Sequence, residues 1–311
     1  MKGTSKSFIP VMITPFLSSG EIDFAGVTRL TERYLEAGAK GLFANCLSSE
    51  MFDLGDKERL QLVKHVVRIV NGSVPVVASG TFEGSTDQQA LFVKKMYDCG
   101  VEAVIAITNM LAAEDEPDTI LEERMFELFQ HTSGIPLGLY ECPFPYKRTI
   151  NAGQLKSFTD SGRVSYLKDT CLDIEQVKQK LEATKGCIDF GLYDAYMLHG
   201  VESLTAGAAG LSCIQGNYWP ELIVWICNNY NNENVSTERT RIMNFLEHNM
   251  QLMHYGYPAA AKYYWQKRGL PITTFTRQEL GELTPAVTRN IDKLHVGYAD
   301  LIKELNLNIR I

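Results

Sequence analysis

The stretch "DCGVEAVIAIT" (residues 98–108) contains the pattern that decides the fold. A polar segment with a glycine, of the kind that ends helices, leads directly into a short run that is almost wholly apolar. An apolar run of this length, without alternating polar residues, is typical of a strand that is buried on both faces. The stretch therefore predicts the end of a helix, a turn and a buried strand, in that order.

The same unit recurs along the chain, and each apolar run is followed by a polar loop and a stretch with helical periodicity. We predict eight strands, at "FIPVMITPF" (8–16), "GLFAN" (41–45), "VPVVASG" (74–80), "EAVIAIT" (102–108), "IPLGLY" (135–140), "VSYLK" (164–168), "CIDFG" (187–191) and "AAGLSC" (208–213). Eight such units predict a (β/α)8 barrel of the TIM type.

A doubly wound sheet would also alternate strands and helices, but it predicts a phosphate-binding glycine turn after the first strand. The segment that follows here, "TPFLSSGEID" (14–23), is not of that form. After residue 213 the chain consists of long segments compatible with helices. We therefore predict a barrel catalytic domain over residues 1–225 and a C-terminal helical region, packed on the barrel, over residues 226–311.

Composition narrows the function classes. The 311 residues include 30 basic and 37 acidic side chains, a formal charge of −7 without long runs of one sign, which predicts no nucleic-acid or membrane partner. Seven scattered cysteines without a C-x-x-C pair indicate a reducing cytoplasm rather than a disulfide framework or zinc site. The apolar part of "MKGTSKSFIPVMITPF" (1–16) is short and interrupted, which indicates neither secretion nor a membrane span.

The histidines show no metal-ligand spacing and the glycines no dinucleotide fingerprint, so we predict neither a metal nor an organic cofactor. In a TIM barrel, chemistry belongs at the carboxyl ends of the strands. Lys168 ends the apolar run in "VSYLKDTCLD" (164–173), where burial would lower the pKa of its amine and make it nucleophilic. From the residues alone, a structural lysine with a buried stem is an equally good interpretation. Tyr140 ends the preceding strand and offers a phenol for proton transfer.

Several segments, in the same order, carry a family resemblance. They are "IPVMITPFLSSGEIDFAGVTRLTERYLEAGAKGLF" (9–43), "ANCLSSEMFDLGDKERLQLV" (44–63), "PVVASGTFEGSTDQQALFVKKMYDCGVEAVIAIT" (75–108), "GIPLGLYECP" (134–143) and "YLKDT" (166–170). The chain resembles the dihydrodipicolinate synthase and N-acetylneuraminate lyase family over roughly residues 8–225. The resemblance implies a (β/α)8 barrel, usually tetrameric, with class I aldolase chemistry. It also implies that Lys168 forms the imine and Tyr140 transfers protons.

The segment "NCLSSEMFDL" (45–54) stands where the resemblance places a loop that binds the carboxylate of a 2-oxo acid. Leu47 replaces the first hydroxyl residue of that loop, Ser48 the second and Ser49 a glycine, while Glu50 is retained. Backbone N–H groups of Ser48 and Ser49 would still bind a carboxylate. The alternative is a plain helix cap, which suits Ser49 equally well.

Three further site residues come from the resemblance. Arg148 is loosely matched to an arginine that guides a dicarboxylic substrate, and a surface position is the alternative. Tyr193 and Asp194 correspond to a segment that contacts the second substrate, although Asp194 is at least as well suited to cap a helix. The segment "TNMLAAEDEP" (108–117) lacks the tyrosine that completes a proton relay from a neighbouring subunit in relatives.

The sequence therefore predicts a cytoplasmic class I lyase or aldolase that joins or cleaves a 2-oxo acid, with pyruvate preferred, and an aldehyde. Two alternatives remain. One is 4-hydroxy-tetrahydrodipicolinate (dihydrodipicolinate) synthase activity, and the other is a non-catalytic barrel that binds 2-oxo acids. A homo-oligomer, tetramer or dimer, is implied by the resemblance alone.

Overall fold

A computed structural model describes residues 6–277 and 283–307 of the chain. The strands in these ranges are β1 (Ser7–Phe8), β2 (Leu42–Asn45), β3 (Val76–Ser79), β4 (Ala103–Ile107), β5 (Leu137–Tyr140), β6 (Val164–Asp169), β7 (Gly191–Asp194) and β8 (Gly210–Leu211). All neighbouring strands pair in parallel, in the order β1-β8-β7-β6-β5-β4-β3-β2. A parallel bridge between Val11 and Phe43 joins the segment after β1 to β2. The predicted TIM barrel is confirmed.

Helices follow the strands and continue beyond the last one. They are α1 (Phe24–Glu36), α2 (Asp56–Val70), α3 (Thr86–Tyr97), α4 (Thr108–Leu111), α5 (Asp118–His131), α6 (Ala152–Asp160), α7 (Ile174–Ala183), α8 (Gly200–Ala206), α9 (Pro220–Asn229), α10 (Ser236–His248), α11 (Met250–His254), α12 (Ala259–Lys267) and α13 (Pro285–Glu304). Among the described residues, no helix has the length and apolar character needed to cross a membrane.

The seventh and first predicted strands differ most from those observed, and the eighth is confined to Gly210–Leu211 within its predicted run. The run predicted at residues 187–191 precedes the real seventh strand, which is Gly191–Asp194. Ile188, the most apolar residue of that run, is 71% exposed and lies in a turn. The first strand is only Ser7–Phe8, although its apolar run continues to residue 16. Pro10 and Pro15 interrupt that run, and proline has no N–H to donate to a strand ladder.

Apolar side chains form two separate layers. The outer layer lies between strands and helices and extends into the C-terminal helices. The inner layer fills the barrel and includes the aromatic rings of Phe43, Tyr140, Tyr166 and Tyr193. Because successive side chains of a strand point to opposite faces, Lys168 shares the inward face with Tyr166. The strand alternation thus places an amine inside the barrel.

The barrel closes tightly where β1 meets β8. A Cβ atom added to Gly210 would lie 1.8 Å from the carbonyl oxygen of Ser7, so this close approach of two backbones requires glycine. Next along the chain, helices α9 to α13 follow β8, and α12 packs along α13. Trp219, directly before α9, contacts α12, since its indole N–H donates to the Tyr264 hydroxyl at 2.7 Å. The predicted domain limits at residues 1 and 311 lie outside the described residues.

Candidate active site

Lys168 and Tyr140 stand side by side at the carboxyl ends of β6 and β5. They are direct partners in the register of the two strands. The Nζ atom of Lys168 lies 4.2 Å from the centroid of the Tyr140 ring and 5.9 Å from that of Phe43. Only 5% of Lys168 and 1% of Tyr140 is exposed. The amine therefore lies among aromatic rings at the end of the barrel where chemistry is expected.

Burial sets the protonation of both groups. Desolvation lowers the pKa of the Lys168 ammonium, so a larger fraction of this amine is neutral than in a surface lysine. Desolvation also raises the pKa of the Tyr140 phenol well above its usual value. Burial raises the pKa of the nearby Cys142 thiol to about 11. The site thus combines an amine that loses its proton more readily than a surface lysine with a phenol that keeps its proton at neutral pH.

The two residues open into a cavity of about 800 Å³. Its wall combines residues from strand ends, from loops of the barrel and from the C-terminal region. The polar side chains among them include Ser48, Lys147, Thr170, Ser212, Gln215, Tyr257 and Arg277, and the apolar ones include Leu47, Phe52, Phe144, Leu172, Ile214 and Met250. A cavity of this size and mixed lining suits a small organic substrate with a few fixed polar groups.

The predicted carboxylate loop forms a short 3-10 helix, Leu47–Ser49. Leu47 and Ser48 line the cavity. Ser49 instead turns inward, where its hydroxyl donates to the Met12 carbonyl at 2.7 Å and accepts from the Cys46 N–H at 3.1 Å. The Ser49 N–H donates to the Cys46 carbonyl at 2.9 Å. Ser49 therefore stabilises the conformation of the loop, as in the alternative interpretation of Ser49 as a helix cap.

Glu50 anchors the same loop to the C-terminal region. Its backbone has φ 59°, in the left-handed region, and its side chain is fully buried. One carboxylate oxygen lies 2.8 Å from Lys262 Nζ, and the other accepts from the Arg277 N–H at 2.6 Å. Breaking such a buried pair is costly, so the loop and the C-terminal region are held in a fixed relation.

Tyr193 and Asp194 lie beside the cavity, which is lined instead by the next two residues, Ala195 and Tyr196. The Tyr193 ring stacks on Tyr166 inside the barrel, with centroids 4.7 Å apart. Asp194 accepts from the Tyr196 N–H at 2.8 Å and pairs with His199 at 3.0 Å. The geometry favours packing for Tyr193 and turn capping for Asp194 over direct contact with a substrate.

Arg148 is likewise directed away from the cavity. Its guanidinium donates to the backbone carbonyls of Ala113 and Glu116 and pairs with Asp118 at 3.2 Å. Its neighbour Lys147 lines the cavity, and Lys147 Nζ donates to the Thr170 carbonyl at 2.8 Å. The structure thus places Lys147, rather than the predicted Arg148, in the wall of this cavity. The extra length of "ECPFPYKRTI" (141–150) was the available signal that the register was uncertain.

Tyr257 is a second cavity residue that the sequence reading missed. It lies between α11 and α12, in the part of the chain predicted only as a helical region. The Gly-Tyr-Pro sequence at residues 256–258 marked a break between helices, but nothing local indicated where that break would lie. As for metals, no cluster of three or more His, Cys, Asp or Glu side chains suited to an ion occurs within residues 6–277 and 283–307.

Known proteins resemble this chain over most of its length. The sequence pattern of the Dihydrodipicolinate synthetase family matches residues 4–295. The 4-hydroxy-tetrahydrodipicolinate synthase of Staphylococcus saprophyticus is 25% identical over 240 residues, which cover 76% of this chain and 78% of that protein. The enzyme of the same name from Bacillus subtilis is 25% identical over 265 residues, with 84% and 88% covered.

Solved structures of other proteins also resemble this chain over nearly its whole length. One is a prophage protein of Escherichia coli K12 from the dihydrodipicolinic acid synthase family, in complex with pyruvate. It superposes with a TM-score of 0.84 at 19% identity, over 98% of this chain and 100% of that one. The dihydrodipicolinate synthase of Bacteroides thetaiotaomicron superposes with a TM-score of 0.84 at 21% identity, over 96% and 100%. At these identities the likeness shows a common fold.

Proposed function

Because the chain belongs to the Dihydrodipicolinate synthetase family, we propose that it is a class I lyase or aldolase in which Lys168 forms a Schiff base with a 2-oxo acid, pyruvate by preference. The observation that carries the proposal is the position of Lys168 Nζ, buried beside the Tyr140 ring at the end of the cavity. A purely binding barrel has no chemical need for a desolvated amine next to a protonated phenol.

The first step is attack of the neutral Lys168 amine on the ketone carbon. The nitrogen loses a proton and the carbonyl oxygen gains one, which gives a neutral carbinolamine. Its hydroxyl group then takes up a second proton and leaves as water, which gives the protonated imine. Tyr140 is the group in position to relay these protons, since its raised pKa keeps the phenol protonated until it is needed. The lowered pKa of Lys168 raises the fraction of amine able to attack.

The protonated imine then acts as an electron sink. The carbon next to it passes a proton to Tyr140, which gave one up when water left, and the resulting enamine carbon attacks the carbonyl carbon of an aldehyde and forms a carbon–carbon bond. The aldehyde oxygen takes up a proton, for which Tyr140 is again the nearby donor. Hydrolysis of the imine releases the product and restores the lysine. Cleavage is the same sequence in reverse, so the geometry serves both directions.

The cavity wall suggests how the two substrates are arranged. We place the carboxylate of the 2-oxo acid near Ser48, on the 3-10 turn that lines the same cavity as Lys168. Lys147 gives the wall a cation that retains unused N–H groups after its bond to the Thr170 carbonyl. We assign this lysine to the aldehyde partner, in the role that the family resemblance implied for Arg148.

The second candidate is 4-hydroxy-tetrahydrodipicolinate synthase activity itself, which the names of the Staphylococcus and Bacillus relatives favour. Against it, the Arg148 guanidinium donates to backbone carbonyls, which favours an aldehyde partner other than that of the synthase. Formation of 4-hydroxy-tetrahydrodipicolinate in a condensation assay would establish this candidate over the broader proposal.

The deciding experiment traps the imine. The protein is incubated with pyruvate and borohydride, and the modified peptide is located by mass spectrometry. We expect a reduced adduct on the peptide that contains Lys168 and none in a Lys168→Ala variant that folds normally. Failure of pyruvate and of other 2-oxo acids to give an adduct would favour the alternative of a non-catalytic binding barrel.

Two further expectations accompany the function. We propose a homo-oligomer, tetramer or dimer, and a cytoplasmic location, both of which are predictions from the sequence. Sedimentation velocity over a range of protein concentrations measures the first, and fractionation of cells that express the protein measures the second.

A further inference from the structure

A buried asparagine fixes the direction of a hydrogen-bond chain that reaches the cavity. The Nδ2 atom of Asn217 donates to the Val11 carbonyl at 2.8 Å. Since a carbonyl only accepts, the NH2 side of this amide must face Val11. The Oδ1 atom accordingly accepts from the hydroxyl of Tyr34. Asn217 is fully buried, so its orientation is determined by these partners.

The second proton of the Asn217 amide points to Tyr257. Nδ2 lies 2.5 Å from the Tyr257 hydroxyl oxygen, which must therefore accept the bond. The proton of the Tyr257 hydroxyl remains available for another partner, and the Ser48 hydroxyl is close enough to lower the pKa of Tyr257 in part. The Asn217 amide thus leaves Tyr257 with its own proton to donate.

A count of protons shows what the pair offers to a ligand. Tyr257 and Ser48 carry one hydroxyl proton each, and a bond between them would use one of the two. In either direction, one hydroxyl proton remains. Both residues line the cavity that contains Lys168. Burial raises the pKa of Tyr257, so the phenol stays protonated and the pair remains a donor at neutral pH.

The carboxylate of a 2-oxo acid is the acceptor that suits this donor. Leu47 brings no hydroxyl to the turn, and the Ser49 N–H and hydroxyl are both engaged within the loop. The turn alone therefore offers fewer donors than the sequence suggested. A hydrogen bond from Tyr257 or Ser48 to a carboxylate would be charge-assisted, the stronger class of such bonds.

We propose that Tyr257, acting with Ser48 and oriented by Asn217, anchors the carboxylate of the 2-oxo acid that reacts with Lys168. The inference rests on the proposed function, because it names a substrate-binding residue of the same site. It assigns to the segment between α11 and α12 a binding role that the sequence did not indicate. The anchoring hydroxyl comes from the same chain as the lysine.

The test measures trapping by borohydride as a function of pyruvate concentration in Tyr257→Phe. We expect the half-saturating pyruvate concentration to rise about tenfold or more, as for loss of a hydrogen bond to a charged group, while trapping at saturation is retained. Ser48→Ala should act in the same direction. It also gives a second measurement should Tyr257→Phe fold poorly, which far-ultraviolet circular dichroism would reveal.

Two controls make the result specific. Tyr255→Phe changes a tyrosine of the same segment that is 62% exposed, and it should leave the pyruvate dependence unchanged. Methyl pyruvate presents the same ketone without a carboxylate, so its trapping should differ little between wild type and Tyr257→Phe. Equal pyruvate dependence in wild type and variant would overturn the proposal. An equal loss with the ester, or a fall at saturation without a shift in half-saturation, would overturn it too.

Failure of this inference can be told apart from failure of the proposed function. If the wild-type protein gives no adduct at all, imine chemistry is wrong. Thermal stabilisation by added pyruvate then measures binding without chemistry. Weaker stabilisation of Tyr257→Phe than of Tyr255→Phe would still support carboxylate anchoring, whereas equal stabilisation would refute it.

Discussion

Glu141 and Asp169 share one ammonium group on the outer side of the barrel. Lys180 Nζ, from α7, lies 2.6 Å from a carboxylate oxygen of each, and all three side chains are at most 1% exposed. Glu141 directly follows Tyr140 at the end of β5, and Asp169 directly follows Lys168 as the last residue of β6. Strand alternation therefore sends the proposed catalytic pair inward and the acids outward, where one buried lysine joins the ends of β5 and β6.

Removal of the shared cation should unfold the protein more easily. Lys180→Met leaves two buried carboxylates without their positive partner, and we expect the free energy of unfolding to fall by about 3–5 kcal/mol. Urea denaturation measures the change. Lys156→Met, which removes an exposed pair with Asp160, is the matched control and should have little effect. Similar midpoints for the two variants would contradict the structural role of the cluster.

Glu141 should make stability depend on pH. Burial and the nearby charge of Asp169 raise the pKa of Glu141 from 4.5 to about 7, despite its bond to Lys180. Between these values the folded state holds a proton that the unfolded state has lost, so stability falls as pH rises through this window and is level above it. Glu141→Gln should remove this fall. Parallel urea midpoints against pH for wild type and variant would refute the assignment.

Burial of Lys168 should lower the free energy of unfolding at neutral pH. Its folded pKa lies below 10.5, the ordinary value, so the folded state binds fewer protons than the unfolded state between the two. Stability from this group therefore rises with pH across that window. Lys168→Met should be more stable than wild type at neutral pH, and the difference should narrow toward pH 10.5. Urea titrations at several pH values test this, and a less stable variant at neutral pH would count against a desolvated amine.

Lys147 and Arg148 should separate activity from stability. Lys147→Met removes a cation from the cavity wall, and we expect kcat/KM for an anionic aldehyde such as succinic semialdehyde to fall about tenfold or more, with butyraldehyde little affected. Arg148→Met removes donors to two backbone carbonyls and should lower the free energy of unfolding by about 1–3 kcal/mol. Steady-state kinetics and urea denaturation of both variants measure these two effects. The reverse pattern would restore Arg148 as the substrate-facing residue.

The sequence predicted the barrel and the adjacency of Lys168 and Tyr140 because both depend on local patterns. Buried parallel strands appear as short apolar runs between glycines, so most strands fall within the predicted runs. The seventh strand was misplaced because Ile188 made an exposed turn look like a buried run. The position of Lys168 beside Tyr140 follows from their places at the ends of consecutive strands, which neighbour each other in a barrel.

What the sequence by itself determined is therefore the fold class, the family resemblance, and the pair formed by Lys168 and Tyr140. Only the tertiary structure decided that Ser49 and Arg148 hold loops, that Lys147 and Tyr257 line the cavity, and that Lys180 joins Glu141 to Asp169. The physical reason is that periodicity fixes which face of a strand a side chain occupies, whereas these roles depend on contacts between segments far apart in the chain. Tyr257 reaches the cavity through a loop of the C-terminal region, and loops have no repeating pattern from which its position could be calculated.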